Sequence, residues 1–384
     1  MHESGRAPAL DGMRGLAALA ILVYHFTPMT SADPLTARLI GAATIGWVGV
    51  DAFFVLSGYL ITGILLEAKG KPHYFRNFYA RRALRIFPLY YGTLTAIFVV
   101  FPLVVWAGGW GPALAARLGV YFDEYRYVQT HQAALWLYLS NAPGFVDPER
   151  WFYFLGHFWS LAVEEHFYLV WPAVVLLLGR RALIATCLGC MAVSLGLRCA
   201  AAFTSYRFFC YVFTPMRLDG FAVGGLLALL SRERGMTRLV GPARMAGGAA
   251  LLILAAGFWG AGTLAATSGF AMTVSYTLLA LLFGAFLVAA VAAPGGSLLG
   301  RMMGGGILRF FGKYSYALYV FNRLLMLPCK RLFPAERLGE WLGSALLGVV
   351  VHVGLATGVT VVFALLSWHL FEKHFLKLKG YFVN

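Results

Sequence analysis

The chain has 384 residues, 60% of them hydrophobic and only 12% charged, with a mean hydropathy of +0.74. An ordinary soluble domain carries roughly a quarter charged residues, so a soluble enzyme, a disordered chain and a fibrous protein are excluded, and the bilayer is the expected solvent. The formal net charge of +15, from 31 Lys+Arg against 16 Asp+Glu, follows from basic cytoplasmic loops and calls for no nucleic acid partner.

A membrane-crossing helix needs about 20 apolar residues. Ten stretches fit in chain order: roughly 10–28, 45–66, 85–106, 158–178, 182–202, 214–231, 244–261, 271–293, 306–328 and 343–369. They predict an all-α polytopic membrane protein of about ten transmembrane helices. The fourth is weakest at its start, where Glu164, Glu165 and His166 interrupt it. With the N-terminus in the cytoplasm, the inner loops and both ends hold 20 of the 31 basic residues. Both termini are therefore expected inside. A long outer loop covers about 107–157, and its apolar piece Leu135 to Leu139 is expected to dip into the interface. No polar linker interrupts the chain, so residues 1–384 read as a single membrane domain with no appended soluble domain. No cleavage-site pattern follows the first apolar run, so no removable leader is expected.

Ionisable groups inside a span are costly, and each is a functional candidate by default. In the first span Arg14 and His25 are eleven residues apart. Eleven steps of 100° fall about 20° short of or past whole turns, so both side chains share a face, about 16 Å apart. Histidine is suited to accept and return a proton near neutral pH. In the second span Asp51 lies at a depth like that of His25 and is expected to orient it, or else to pair with an arginine. Ser57-Gly58 reads as a close helix-packing site. Arg82 and Arg85, three apart, share a helix face, and arginine forks match phosphate oxygens. Glu164 and Glu165 point about 100° apart on a helix, so they are expected to do different jobs, one of them polarising His25 or the incoming nucleophile. His166 is a second base candidate or a local hydrogen-bonding group. Arg217 and Asp219, at the start of the sixth span, read first as a structural pair. The Cys187 and Cys190 pair lies in an apolar run without nearby histidines, and no metal site is expected.

Six stretches, taken together, resemble the acyltransferase 3 family of integral membrane acyltransferases. They are LDGMRGLAALAILVYHF (Leu10 to Phe26), GWVGVDAFFVLSGYLIT (Gly46 to Thr62), FYARRALRIFPLYY (Phe78 to Tyr91), HFWSLAVEEHFYLVWP (His157 to Pro172), MRLDGFAVGGLL (Met216 to Leu227) and GKYSYALYVFN (Gly312 to Asn322). The resemblance implies transfer of an acyl group, usually acetyl from acetyl-CoA, to a hydroxyl of a carbohydrate or lipid-linked saccharide at the cell surface, within the bacterial plasma membrane. It carries the catalytic histidine onto His25, its basic partner onto Arg14, the R-x-x-R onto Arg82 and Arg85, and the W-S-L-x-x-E acid onto Glu164. Glu165, His166, Arg217, Asp219, Tyr319 and Asn322 fall in the same stretches as supporting residues. The chain departs from the family at two positions: His166 stands where many members have Gln, and Asn322 where many have a histidine. A secondary transporter or sugar flippase also places charges at mid-membrane, and a scaffold in a polysaccharide assembly complex is a third class. Release of free CoA thiol separates the enzyme from both.

Overall fold

The protein is described by a computed structural model, which covers residues 8–382 except 112, 114–118, 151, 153 and 264. All ten expected stretches are helical. They are α1 (Pro8–Phe26), α3 (Gly49–Ala68), α4 (Tyr74–Thr95), α5 (Phe158–Leu177), α6 (Arg180–Ala201), α7 (Leu218–Arg234), α8 (Val240–Ala261), α9 (Tyr276–Ala292), α10 (Gly306–Leu332) and α11 (Ala345–Ser367). An additional helix, α2 (Pro34–Ala43), is capped by the Asp33 side chain and runs through a tight turn into α3. Among the described residues there is no β-strand, only a single bridge between Pro143 and Val146.

Eight helical segments are long and apolar enough to cross a membrane. The chain is thus an all-α, multi-pass membrane protein. Two of the ten expected spans, α7 and α10, fall outside that set, for different reasons. The 17 residues of α7 rise about 26 Å, slightly short of the hydrocarbon thickness. α10 has 27 residues but turns Tyr314, Ser315, Tyr319 and Asn322 into the protein. Other helices cover both, so neither needs a face as apolar as lipid.

Helix directions agree with alternate crossings. Gly15 of α1 meets Leu308 of α10, and His25 meets Asn322, so the first and ninth spans run parallel. In α3 and α7, Val55 meets Gly224, and Gly63 meets Arg232. In α3 and α5, Ser57 bonds Glu164, and Thr62 bonds Trp171. The second, fourth and sixth spans therefore share one direction.

Glycine makes these approaches possible. In lipid there is little hydrophobic drive between helices, so close backbone packing has to supply the attraction. A Cβ on Gly12 would strike the Met303 carbonyl, one on Gly15 the Leu308 carbonyl, and one on Gly312 the Asp11 carbonyl. Between α3 and α7, Gly58 abuts Phe221 and Gly224 abuts Val55.

The long connection after α4 does not stay outside the bundle. Leu135, Ser140 and Asn141 are buried. The Tyr90 hydroxyl donates to the Leu135 carbonyl at 2.7 Å, and Asn141 Nδ2 donates to Val212 O at 3.2 Å and to Thr214 Oγ1 at 2.8 Å. These bonds tie the connection to neighbouring elements. Of the piece expected at the interface, Leu135 and Tyr138 are buried against the helices while Leu137 is 63% exposed.

Gly224→Val should force α3 and α7 apart. Overpacking of this kind costs about 1–3 kcal/mol or more, read as a lower melting temperature in detergent. Gly354→Ala, where a Cβ meets open space, should leave the melting temperature unchanged or raise it slightly.

Candidate active site

Helices α1, α3, α4, α5 and α10 enclose a cavity. Arg14, Arg82 and Arg85 line it together with Ser57, Glu164, Glu165 and Tyr168. Val50, Phe53, Phe54, Leu56, Leu60, Ile61, Ile86 and Leu161 supply apolar walls, and Ser160, Ser315, Tyr316 and Tyr319 complete the lining. Along α5 the lining runs from Ser160 through Glu164 to Tyr168, a rise of about 12 Å. At the Tyr168 end the Arg82 guanidinium lies 5.9 Å from the tyrosine ring centroid. The cationic and hydroxyl-lined ends are thus separated along one helix.

Glu164 is committed. Ser57 Oγ donates to one carboxylate oxygen at 3.1 Å and the Tyr168 hydroxyl to the other at 3.1 Å. Arg14 and Arg82 are near enough to act on it electrostatically. Ser57 therefore bonds into the site while its neighbour Gly58 does the helix packing. Glu165 has a buried oxygen with no partner among the described residues. It lies among Tyr90, Tyr91, Tyr138 and Tyr316. His166 turns to the connection between α6 and α7, where its Nδ1 is 2.7 Å from Thr214 Oγ1.

His25 lies beyond the cavity lining. Its ring centroid is 6.4 Å from that of His157, and Asn322 lies against it. The steps between are short. Tyr319, which lines the cavity, donates its hydroxyl to the His157 carbonyl at 2.8 Å and pairs with the Ser160 hydroxyl. The Tyr319 and His157 ring centroids are 5.3 Å apart. The group beside His25 is therefore an imidazole from the turn that opens α5. Glu164 sits seven residues further on, about 10 Å along the axis, on the arginine side.

Asp51 belongs to another cluster. It bonds Arg217 at 2.6 Å, and both are almost wholly buried. Asp219 bonds Arg198 at 2.8 Å, with Thr277 on the same carboxylate oxygen. The Arg217 guanidinium lies 3.9 Å from the Tyr276 ring centroid and 5.3 Å from that of Trp159. Arg217 and Asp219 are two residues apart, too close on a helix to face each other, and each finds its partner on another helix. Asp51 thus joins α3 to the start of α7, and Asp219 joins α7 to α6.

Sequence reasoning missed four of these side chains. Arg198 is a lone charge in the apolar run of α6, which is itself a signal. His157 opens the stretch that carries Glu164, but its proximity to His25 is a tertiary fact. Arg323 follows Asn322 and acts electrostatically on both His25 and His157. Tyr168 is one helical turn past Glu164, the spacing at which side chains meet.

Breaking a buried ion pair by deleting one partner costs about 3–5 kcal/mol. Arg217→Ala should therefore lose most folded protein on size-exclusion chromatography. The double change Arg217→Met with Asp51→Leu should recover part of it.

The family described as an acyltransferase domain matches residues 8–369. YrhL of Bacillus subtilis, provisionally classed as a peptidoglycan O-acetyltransferase, is 29% identical over 383 residues, 95% of this chain and 54% of its own length. The peptidoglycan O-acetyltransferase OatA of Listeria monocytogenes is 33% identical over 172 residues, 44% of this chain and 24% of its own. The O-acetyltransferase OatA of Staphylococcus aureus is 29% identical over 247 residues, 60% of this chain and 36% of its own. The chain spans about half or less of the length of these curated relatives. No solved structure matches it.

Proposed function

Because the chain belongs to the acyltransferase 3 family, we propose that it moves an acetyl group from acetyl-CoA onto a hydroxyl of a cell-surface carbohydrate. The observation that carries this reading is the cavity with arginines at one end and, at the other, Tyr319 and Ser160 bonded to the turn that carries His157, the neighbour of His25. Arg14, Arg82 and Arg85 suit the phosphates of CoA, since guanidinium forks bind phosphate oxygens in pairs. The apolar walls suit the pantetheine arm, and the Ser57, Ser160 and Glu165 oxygens suit its amide groups. The roughly 16 Å between Arg14 and His25 along α1 is comparable to an extended arm.

The basic loops put the arginine end in the cytoplasm, where acetyl-CoA is made, and His25 in the outer half. Ten crossings with both termini inside fit that orientation. The acceptor is a saccharide hydroxyl reaching His25 from outside, free or lipid-linked. The names of the relatives make peptidoglycan the first acceptor to test. His25 is the reacting imidazole, as proton acceptor or as transient acyl carrier. Tyr319 and Ser160 position the turn that carries His157. Glu164, held by Ser57 and Tyr168, sets the charge of the arginine end, and Asp51 with Arg217 holds α3 in register.

Mass spectrometry of surface glycans from cells with and without the gene tests the reading. A difference of one acetyl unit is expected, together with protein-dependent release of CoA thiol; a transporter or a scaffold yields neither. His25→Ala should lower the transfer rate by about 10²- to 10⁴-fold while the protein stays monodisperse. Arg82→Ala should act on binding. Loss of one hydrogen bond to a charged group costs about 1.5–3 kcal/mol, so KM for acetyl-CoA should rise roughly ten- to a hundredfold with a smaller change in kcat.

A further inference from the structure

We infer that His157 is a second catalytic imidazole, the group that takes the proton from the acceptor hydroxyl while His25 handles the acyl group. The inference rests on the acyltransferase reading above and deepens it.

The ring of His157 is almost wholly buried. Its Nε2 lies 3.2 Å from the Val320 carbonyl oxygen. A carbonyl only accepts, so Nε2 carries the hydrogen of the neutral ring and Nδ1 is left with a bare lone pair. That Nδ1 is buried and has no hydrogen-bond partner among the described residues, and the same is true of His25 Nδ1. Buried polar atoms are nearly always satisfied in a finished interior, so unsatisfied ones need an explanation. Here an unpartnered nitrogen stands in each of two neighbouring rings whose centroids are 6.4 Å apart. In this inference the acceptor hydroxyl lies between the two imidazoles, each of which has an unpartnered ring nitrogen among the described residues.

His157 is also tied to the donor cavity. Its carbonyl receives the Tyr319 hydroxyl, and Tyr319 lines the cavity with Ser160. The Tyr319 ring, whose centroid is 5.3 Å from that of His157, thus links the cavity lining to His157, and His157 is in turn the neighbour of His25. Asn322, which lies against His25, offers only an amide, which is no base at neutral pH.

The chemistry balances without any further reactant. The bare nitrogen of His25 attacks the thioester carbonyl, the C–S bond breaks, and the thiolate takes the proton from the other ring nitrogen to give the free thiol. The acceptor oxygen then attacks the acyl carbon. Its proton goes to His157 Nδ1 as the C–O bond forms and the C–N bond to His25 breaks. The proton returns from His157 to His25, and both rings end neutral.

His157→Gln keeps an N–H donor for the Val320 carbonyl but removes the basic nitrogen. The full chain is tested in detergent-permeabilised membrane vesicles, which supply their own glycan acceptors, with acetyl-CoA labelled in the acetyl group. Two rates are read per mole of monodisperse protein: acetyl incorporation into glycan, and exchange of labelled CoA into acetyl-CoA. His157→Gln should lose about 10²- to 10⁴-fold in incorporation while keeping the exchange rate and the KM for acetyl-CoA; His25→Ala should lose both rates. His157→Asn serves the same comparison if the Gln variant does not stay monodisperse. Incorporation by His157→Gln within tenfold of the wild type overturns the inference. So does loss of both rates in that variant, which marks a structural role, and so does a wild type that incorporates acetyl without exchange. A wild type that does neither overturns the functional reading and this one with it.

Discussion

Everything in the site depends on how closely α1 can approach α10. Gly15 and Gly312 bring the two backbones together where any side chain would strike a carbonyl, and Gly12 does the same against Met303 just before α10. That contact sets the rotation of α1 and so aims Arg14 at the cavity and His25 at Asn322 and His157. Lipid offers no hydrophobic drive for helix association. A site built across these helices therefore relies on small residues at the contacts to hold its geometry. The α3–α7 contact through Gly58 and Gly224 does the same for Ser57 and Asp51.

The buried charges separate into two populations with different chemistry. Asp51–Arg217 and Asp219–Arg198 are nearly solvent-free pairs with additional hydrogen bonds, on the side of the protein formed by α3, α6, α7 and α9. Pairing across helices suits a structural role, although Asp51 Oδ2 and Arg217 Nε are buried without a hydrogen-bond partner among the described residues. The other population lines the cavity. Arg14, Arg82, Arg85 and Glu165 face a space large enough to admit a ligand, and Glu165 keeps an unpartnered oxygen there. The unpartnered Glu165 oxygen at the cavity wall is open to a ligand that brings a donor.

The re-entrant connection links these regions. Asn141 and His166 both bond Thr214, at the turn that leads into α7. Tyr90, from α4, fixes the same connection through Leu135. The segment brings Tyr138 near Glu165. Part of its polar surface is bonded to neighbouring elements, while Tyr138 Oη, Ser140 Oγ and Asn141 Oδ1 are buried without a hydrogen-bond partner among the described residues.

The sequence by itself determined the solvent, the helical class and the positions of the ten helices, because 20-residue apolar runs are local and periodic signals. It also determined that Arg14 and His25 share a face, since both lie on one unbroken helix and 3.6 residues per turn settles the rest. The R-x-x-R pair and the two adjacent acids were legible for the same reason. Only the tertiary structure decided which partners meet. Asp51 found Arg217 instead of His25, Arg217 and Asp219 took separate partners, and His157 rather than Glu164 came to stand beside His25. Those pairings join residues up to 166 positions apart. They depend on helix rotation and depth, which backbone contacts at glycine set and which periodicity along a single helix does not encode.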